Sequence, residues 1–68
     1  MENIKQFVNR QYNMAVADPS YCQVREDQAF GALSYHLSLY PDHYDELVAY
    51  WDEMRSKFFE IIIAQRVG

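Results

Sequence analysis

Two proline residues divide this chain into three segments of helical length. They form the pairs Asp18–Pro19 and Tyr40–Pro41. A residue that precedes proline is driven out of helical geometry, whereas the proline itself suits the first turn of a helix. No stretch alternates with period two for the length of a strand. We therefore predict a single all-α domain over residues 1–68, with three helices at about 3–17, 20–39 and 41–66.

The last third of the chain carries one continuous apolar stripe. Its members recur at spacings of three and four, which places them on one side of a helix. They are Tyr44, Leu47, Trp51, Met54, Phe58 and Ile61. Trp51 lies in the middle of the stripe, so we predict that it is largely buried. A helix of this length spans roughly 39 Å, more than the core of so short a chain needs.

The first two segments each contain one residue that breaks the pattern around it. Gln11 lies within the apolar side of the first helix, either as a satisfied core or interface amide or as a ligand contact. The second helix is apolar around most of its circumference, with Gly31 on a narrow strip of small residues. Gly31 either admits a closely packed neighbour or is a surface glycine. Ser20 and Gln23 have the spacing of a capping box at the start of this helix.

Size and cysteine content favour self-association. Chains of 68 residues rarely bury enough apolar surface without disulfides, metal or partner subunits, and the only cysteine is Cys22. Near the C-terminus the apolar surface of the third helix becomes too wide for one neighbour in the same chain. We predict a homo-oligomer, most simply a two-fold dimer with antiparallel third helices. The expected interface residues are Phe59, Ile62 and Ile63.

Charge and hydropathy limit the partners. The formal net charge is −4, and the six Lys and Arg residues are scattered, so a nucleic-acid partner is not expected. The N-terminus lacks the basic and apolar regions of a secretion signal. The longest apolar run, residues 61–64, is far below the length of a membrane span. We expect a cytoplasmic protein without a membrane partner.

The soft metal ligands and nucleophiles do not form a catalytic pattern. Cys22 and His36 lie fourteen residues apart on one predicted helix, roughly 21 Å, so they cannot pair within one chain. Zinc and di-iron sites need more ligands than these residues and His43 supply. We expect no metal, no cofactor and no enzymatic activity. We expect Cys22 to be a small buried side chain and His43 to face solvent in the first turn of the third helix.

One group of basic and aromatic residues suggests a ligand. Arginine and tyrosine together can hold a phosphate and stack on a base. The candidate ligand-binding residues are Arg10, Tyr12, Tyr21, Arg25 and His36, of which the first four flank the turn between the first two helices. The alternative is that Arg25 pairs with an acidic side chain and the tyrosines fill a small core.

Two functions fit these observations. The first is a non-enzymatic helical protein that binds another protein and inhibits or adapts it. Small acidic, aromatic-rich chains of this kind are common among proteins of phages and mobile elements that block host systems, which is an association rather than a physical argument. The second is an oligomer that binds or sequesters a nucleotide-like anion between subunits.

Overall fold

The computed structural model describes residues 2–67, and they form three α-helices joined by two tight turns. The helices are α1 (Glu2–Ala17), α2 (Cys22–Leu39) and α3 (Tyr44–Val67). No strand occurs among the described residues. The all-α, three-helix fold predicted from the sequence is therefore confirmed. None of the helices within residues 2–67 combines the length and the apolar character that crossing a membrane would require.

Both corners have the same construction, and the prolines set it. Each proline opens a single 3-10 turn, Pro19–Tyr21 before α2 and Pro41–His43 before α3. The preceding residues are extended as expected, with φ −139° at Asp18 and φ −132° at Tyr40. The predicted second and third helices therefore begin with a 3-10 turn rather than with regular α-helix.

The predicted capping box at the start of α2 does not form. The Ser20 hydroxyl donates to the Asp18 carboxylate at 2.7 Å instead of capping the helix. Gln23 donates to Glu26 at 3.0 Å and to Asp27 at 3.3 Å, both within α2. The cause is the 3-10 turn, because the α-helix begins only at Cys22, one residue later than the box requires.

The core lies along the bundle axis and takes one stripe from each helix. The stripe of α3 supplies its largest side chains, and Trp51 is 9% exposed, which confirms the burial predicted for it. Smaller aliphatic residues and the Cys22 thiol from α1 and α2 complete the core. The buried apolar residues are Ile4, Val8, Ala15, Cys22, Ala29, Leu33, Leu47, Trp51, Met54 and Phe58.

The bundle is a short rod in which α1 and α3 run in the same direction. The Lys5 ammonium pairs with Glu46 at one end of the two helices, and the Tyr12 ring contacts the Phe58 ring further along. The extents are 41 × 16 × 16 Å. At 24 residues against 16, α3 is longer than α1 by roughly 12 Å. Ile61, Ala64 and Gln65, in the last turns of α3, lie beside Val16 and Pro19 at the corner between α1 and α2.

Gly31 faces open space within this chain. A Cβ atom built on it meets nothing within 4 Å. The narrow strip of small residues on α2 is therefore not used for close packing by a neighbouring helix of the same chain, and Gly31 is a surface glycine there.

Candidate functional site

Two shallow depressions lie on the outside of the bundle, one between α2 and α3 and the other along α3 alone, and Arg55 lines both. We call the two together the Arg55 groove. Its side chains come from one turn and a half of α2 and two turns of α3. They are Glu26, Asp27, Phe30, Gly31, Trp51, Asp52, Arg55, Ser56 and Phe59.

Aromatic side chains form the apolar part of the Arg55 groove. The Phe30 ring lies 5.7 Å from the Trp51 ring at 49°, and Trp51 in turn lies 6.2 Å from the core ring of Phe58. Phe30 nevertheless remains 52% exposed and Phe59 56% exposed. The groove is thus an outward extension of the core. Exposed aromatic side chains beside an arginine are typical of the energetic centres of protein interfaces.

The predicted subunit-interface residues divide into two kinds. Phe59 and Ile63 are exposed, at 56% and 43%. Ile62 is half-buried and packs against the core of its own chain. A subunit interface on this part of α3 would therefore use Phe59 and Ile63, with Ile62 mainly supporting the helix from inside.

The predicted ligand-binding residues do not converge on one point. Tyr12 packs edge-on against Phe58 at 5.6 Å, with the Lys57 ammonium 5.9 Å from the centre of its ring. Tyr21 and Arg10 are exposed. Tyr12 thus packs against the core, as the sequence alternative expected of the tyrosines.

Arg25 and His36 belong to opposite ends of α2. Arg25 donates to Gln28 of the same helix at 3.5 Å rather than to an acidic side chain. His36 lies eleven residues further on, roughly 16 Å along the helix, in the last turn of α2. A single small anion could not contact both side chains in one copy of the chain.

His36 instead belongs to a cluster of three rings at the corner between α2 and α3. Its Nε2 lies 3.0 Å from Nδ1 of His43, within hydrogen-bond distance. His43 is half-buried by this contact, so the expectation that it faces solvent is wrong. The Tyr40 ring lies 4.8 Å from the ring of His36 and 5.4 Å from that of His43. We call these three residues the histidine corner.

The two imidazoles meet edge to edge. Their ring centres are 5.2 Å apart, which is close to the 3.0 Å nitrogen separation plus the two distances from ring centre to nitrogen. The nitrogens therefore lie near the line between the centres, and the planes differ by only 24°. This is the geometry of a linear N–H···N hydrogen bond. The Tyr40 ring packs against both imidazoles, and its plane is tilted 36° from that of His36 and 12° from that of His43.

Charge and burial around this corner shift two acid–base groups. Partial burial, followed by the proximity of His43, lowers the pKa of His36 from its ordinary value. A hydrogen bond from Lys5 lowers the pKa of the Glu46 carboxyl, and the two charges are 2.8 Å apart. The corner is thus bounded by an ion pair that links α1 to α3.

The ion pair is positioned by Tyr50. The Tyr50 hydroxyl donates to the Lys5 carbonyl oxygen at 2.9 Å, and its ring lies 5.4 Å from the Lys5 ammonium. Burial is the main cause that raises the pKa of Tyr50. One tyrosine of α3 therefore holds both the backbone and the side chain of Lys5.

Gln11 is the buried polar side chain of the core. It is 6% exposed, and its Oε1 has no hydrogen-bond partner among the described residues. The Gln11 amide is therefore not fully hydrogen-bonded within one copy of the chain, in contrast to the first interpretation of the sequence. A buried acceptor without a partner costs free energy relative to an apolar side chain of the same shape.

The histidine corner was missed from the sequence, although a signal existed. His36 and His43 lie seven residues apart and flank the break at Tyr40–Pro41. The sequence prediction places His36 among the candidate ligand-binding residues and His43 in a solvent-facing first turn, because a pattern within one helix does not show which side chains meet across a corner. Within residues 2–67 no three His, Cys, Asp or Glu side chains are grouped closely enough to hold a metal ion.

Comparisons with protein-family models, with curated proteins and with solved structures find no match to this chain.

Proposed function

We propose that this chain is a non-enzymatic interaction protein that binds another protein through the Arg55 groove and thereby inhibits or adapts it. The observation that carries the proposal is the exposure of Phe30 and Phe59 on either side of Arg55, above a core that is already closed by Trp51. Large exposed apolar side chains that adjoin one another mark binding surfaces more often than isolated ones do.

Charge complementarity indicates the kind of partner. Three carboxylates line the groove, from Glu26, Asp27 and Asp52, against the single guanidinium of Arg55. A partner segment with apolar anchors and flanking Lys or Arg residues would match this pattern. An amphipathic helix laid along the groove is the simplest such segment, since the groove runs parallel to two helices.

The size of the rod suits a modest interface. One long face measures 41 by 16 Å, or roughly 650 Å², somewhat less than the ~800 Å² that each partner buries in a standard protein complex. One face can therefore support binding to one partner of ordinary affinity, and hot-spot residues such as Phe30 would dominate it.

We further propose that the chain forms a homodimer through the C-terminal part of α3. Phe59 and Ile63 lie one turn apart there and are both exposed. Because Phe59 also lines the Arg55 groove, the second copy and the partner protein would compete for this side chain. Each large apolar side chain that a second copy covers contributes about 1.5–3 kcal/mol. Antiparallel pairing of two α3 helices would keep the acidic side of each helix outward.

Two variants on α2 test partner binding. Phe30→Glu places a charge in the groove, whereas Tyr35→Glu changes a more exposed aromatic residue, 68% against 52%, that lies beside α1 on another side of the helix. We expect tagged wild-type and Tyr35→Glu chains to capture the same protein from lysate, and Phe30→Glu to lose it. Calorimetry with that purified protein should then show at least a tenfold weaker affinity for Phe30→Glu. Equal affinity of the three chains would contradict the proposal.

Light scattering tests the dimer separately. We expect the wild-type chain to have twice the monomer mass at micromolar concentration and Ile63→Glu to have the monomer mass. Val16→Glu is the control, because Val16 is exposed on α1 near the same end of the rod. A folded wild-type monomer at high concentration would refute self-association without affecting the partner-binding proposal.

A further inference from the structure

A side-chain hydrogen bond between His36 and His43 spans the corner between α2 and α3. We propose that it is an acid-sensitive latch. The latch holds this corner closed while at least one of the two facing nitrogens lacks a proton, and it releases the corner when both imidazoles are charged. The proposal does not depend on the function proposed above.

The geometry allows only one hydrogen between the two rings. Nε2 of His36 and Nδ1 of His43 face each other at 3.0 Å, near the line between the ring centres. A neutral imidazole has one donor and one acceptor nitrogen, whereas a charged imidazole has two donors. When both rings are charged, two N–H groups point at each other and two like charges lie within hydrogen-bond distance. The bond is then replaced by repulsion.

The pair connects the end of α2 to the turn before α3. His36 lies in the last turn of α2, and His43 ends the 3-10 turn that leads into α3. The backbone bonds at the corner are local, from the Tyr40 amide to the His36 carbonyl at 2.9 Å and from the His43 amide to the Tyr40 carbonyl at 3.0 Å. Tyr40 stacks across both rings and depends on their being side by side. Loss of the bond should therefore release Tyr40 as well.

Other charges near the pair do not remove this repulsion. Glu46 of α3 attracts a positive charge, but its carboxylate already binds Lys5 of α1 at 2.8 Å. Asp42, in the turn between the two histidines, is exposed, so solvent screens its charge. The lowered pKa of His36, caused by partial burial and then by His43, has the direction that the latch requires.

Nuclear magnetic resonance of the wild-type chain tests the latch directly. The chain contains two histidines, so every imidazole signal belongs to this pair. Long-range ¹⁵N spectra between pH 8 and pH 4 should show two protonation steps separated by more than about one pH unit, as expected for strongly coupled sites. The ring signals of Tyr40 should shift with the second step. One common step near the ordinary value of 6.5, or Tyr40 signals that do not follow the second step, would overturn the proposal.

A variant separates charge repulsion from a simple change of shape. Glutamine at position 43 can still accept a hydrogen bond from His36 but cannot become charged. In His43→Gln we expect His36 to titrate in one step, closer to 6.5 than the second step of the wild type. Asp42→Asn is the control, because it removes a neighbouring charge but leaves the pair intact, and it should keep two steps. If His43→Gln does not fold, the wild-type titration and the control still decide the question.

Discussion

Cys22 and Phe58 lie 36 positions apart in the chain, and the buried thiol of Cys22 contacts the carbonyl oxygen of Phe58 at 3.5 Å. Cys22 is the first residue of α2 and is 1% exposed. A thiol is a weak donor, so the contact contributes mainly packing. The contact therefore fixes the start of α2, just after the turn that begins at Pro19, against the middle of α3.

Cys22 should therefore react with thiol reagents only when the bundle opens. Burial, followed by the charge of Glu26, raises the pKa of its thiol, so both access and the thiolate fraction are reduced. With a free energy of unfolding of about 5 kcal/mol, we expect modification on the order of several thousandfold slower than in the unfolded chain. Absorbance at neutral pH measures the rate, and rapid modification of the folded chain would show that α2 frays at its start.

Trp51→Ala should destabilise the chain by about 3–5 kcal/mol, the usual cost of truncating a large aromatic residue in a tight core. Trp51 is 9% exposed and contacts both Phe30 and Phe58. Chemical unfolding at low protein concentration is the measurement. Phe59→Ala is the matched control, because Phe59 is 56% exposed and should change the stability of the monomer by less than about 0.5 kcal/mol. Equal effects of the two changes would mean that Trp51 is not a core residue.

The sequence was informative wherever periodicity and proline acted together. The breaks at Asp18–Pro19 and Tyr40–Pro41 are where the structure has them, and the stripe around Trp51 is buried. The stripe is not buried along its whole length, since Tyr44, its first member, is 58% exposed. A periodic pattern identifies the side of a helix, but the neighbours decide how much of its length they cover.

The orientation of α2 could not be predicted for a physical reason. Apolar residues surround most of this helix, so its pattern does not select one side for the core. The structure buries Ala29 and Leu33 and leaves Phe30 and Leu39 exposed. The Arg55 groove and the histidine corner both depend on this rotation. They are tertiary features, and sequence patterns considered one helix at a time could not reveal them.

Gln11→Met should stabilise the folded chain by about 1–3 kcal/mol, because it replaces a buried acceptor that has no described partner with an apolar side chain of similar size. Gln65→Met is the control, since Gln65 is exposed and should change stability little. Both variants are compared by urea unfolding. A destabilised Gln11→Met would indicate that the amide is satisfied in solution, by water or by a second copy of the chain.

Gly31→Ala should stabilise α2 by about 1 kcal/mol, the difference in helix propensity between the two residues. The new methyl group meets open space in the single chain. The reverse change on an exposed helix position, Ala49→Gly, should cost a similar amount and serves as the matched control. Gly31 also lines the Arg55 groove, so a stabilised Gly31→Ala chain that binds its partner more weakly would indicate close approach of the partner at this glycine.

The ion pair between Lys5 and Glu46 should make stability depend on pH below 4.5, the ordinary pKa of a glutamate. The hydrogen bond from Lys5 lowers the pKa of Glu46 in the folded chain, so the unfolded chain binds more protons in this range. The contribution is therefore complete above 4.5 and is lost as the pH falls through the folded value. Both side chains are partly exposed, at 28% and 51%, so salt should weaken the effect.

Melting temperatures of the wild type and Glu46→Gln between pH 7 and pH 3 measure this contribution. The difference between the two should be largest at pH 7 and low salt, and it should shrink below pH 4.5. Glu60→Gln, on an exposed part of α3 outside the ion pair, is the control and should follow the wild type more closely. Tyr50→Phe should reduce the difference, because the Tyr50 hydroxyl holds the Lys5 backbone in place. If the wild-type and Glu46→Gln curves stay parallel over the whole range, the ion pair does not stabilise the fold.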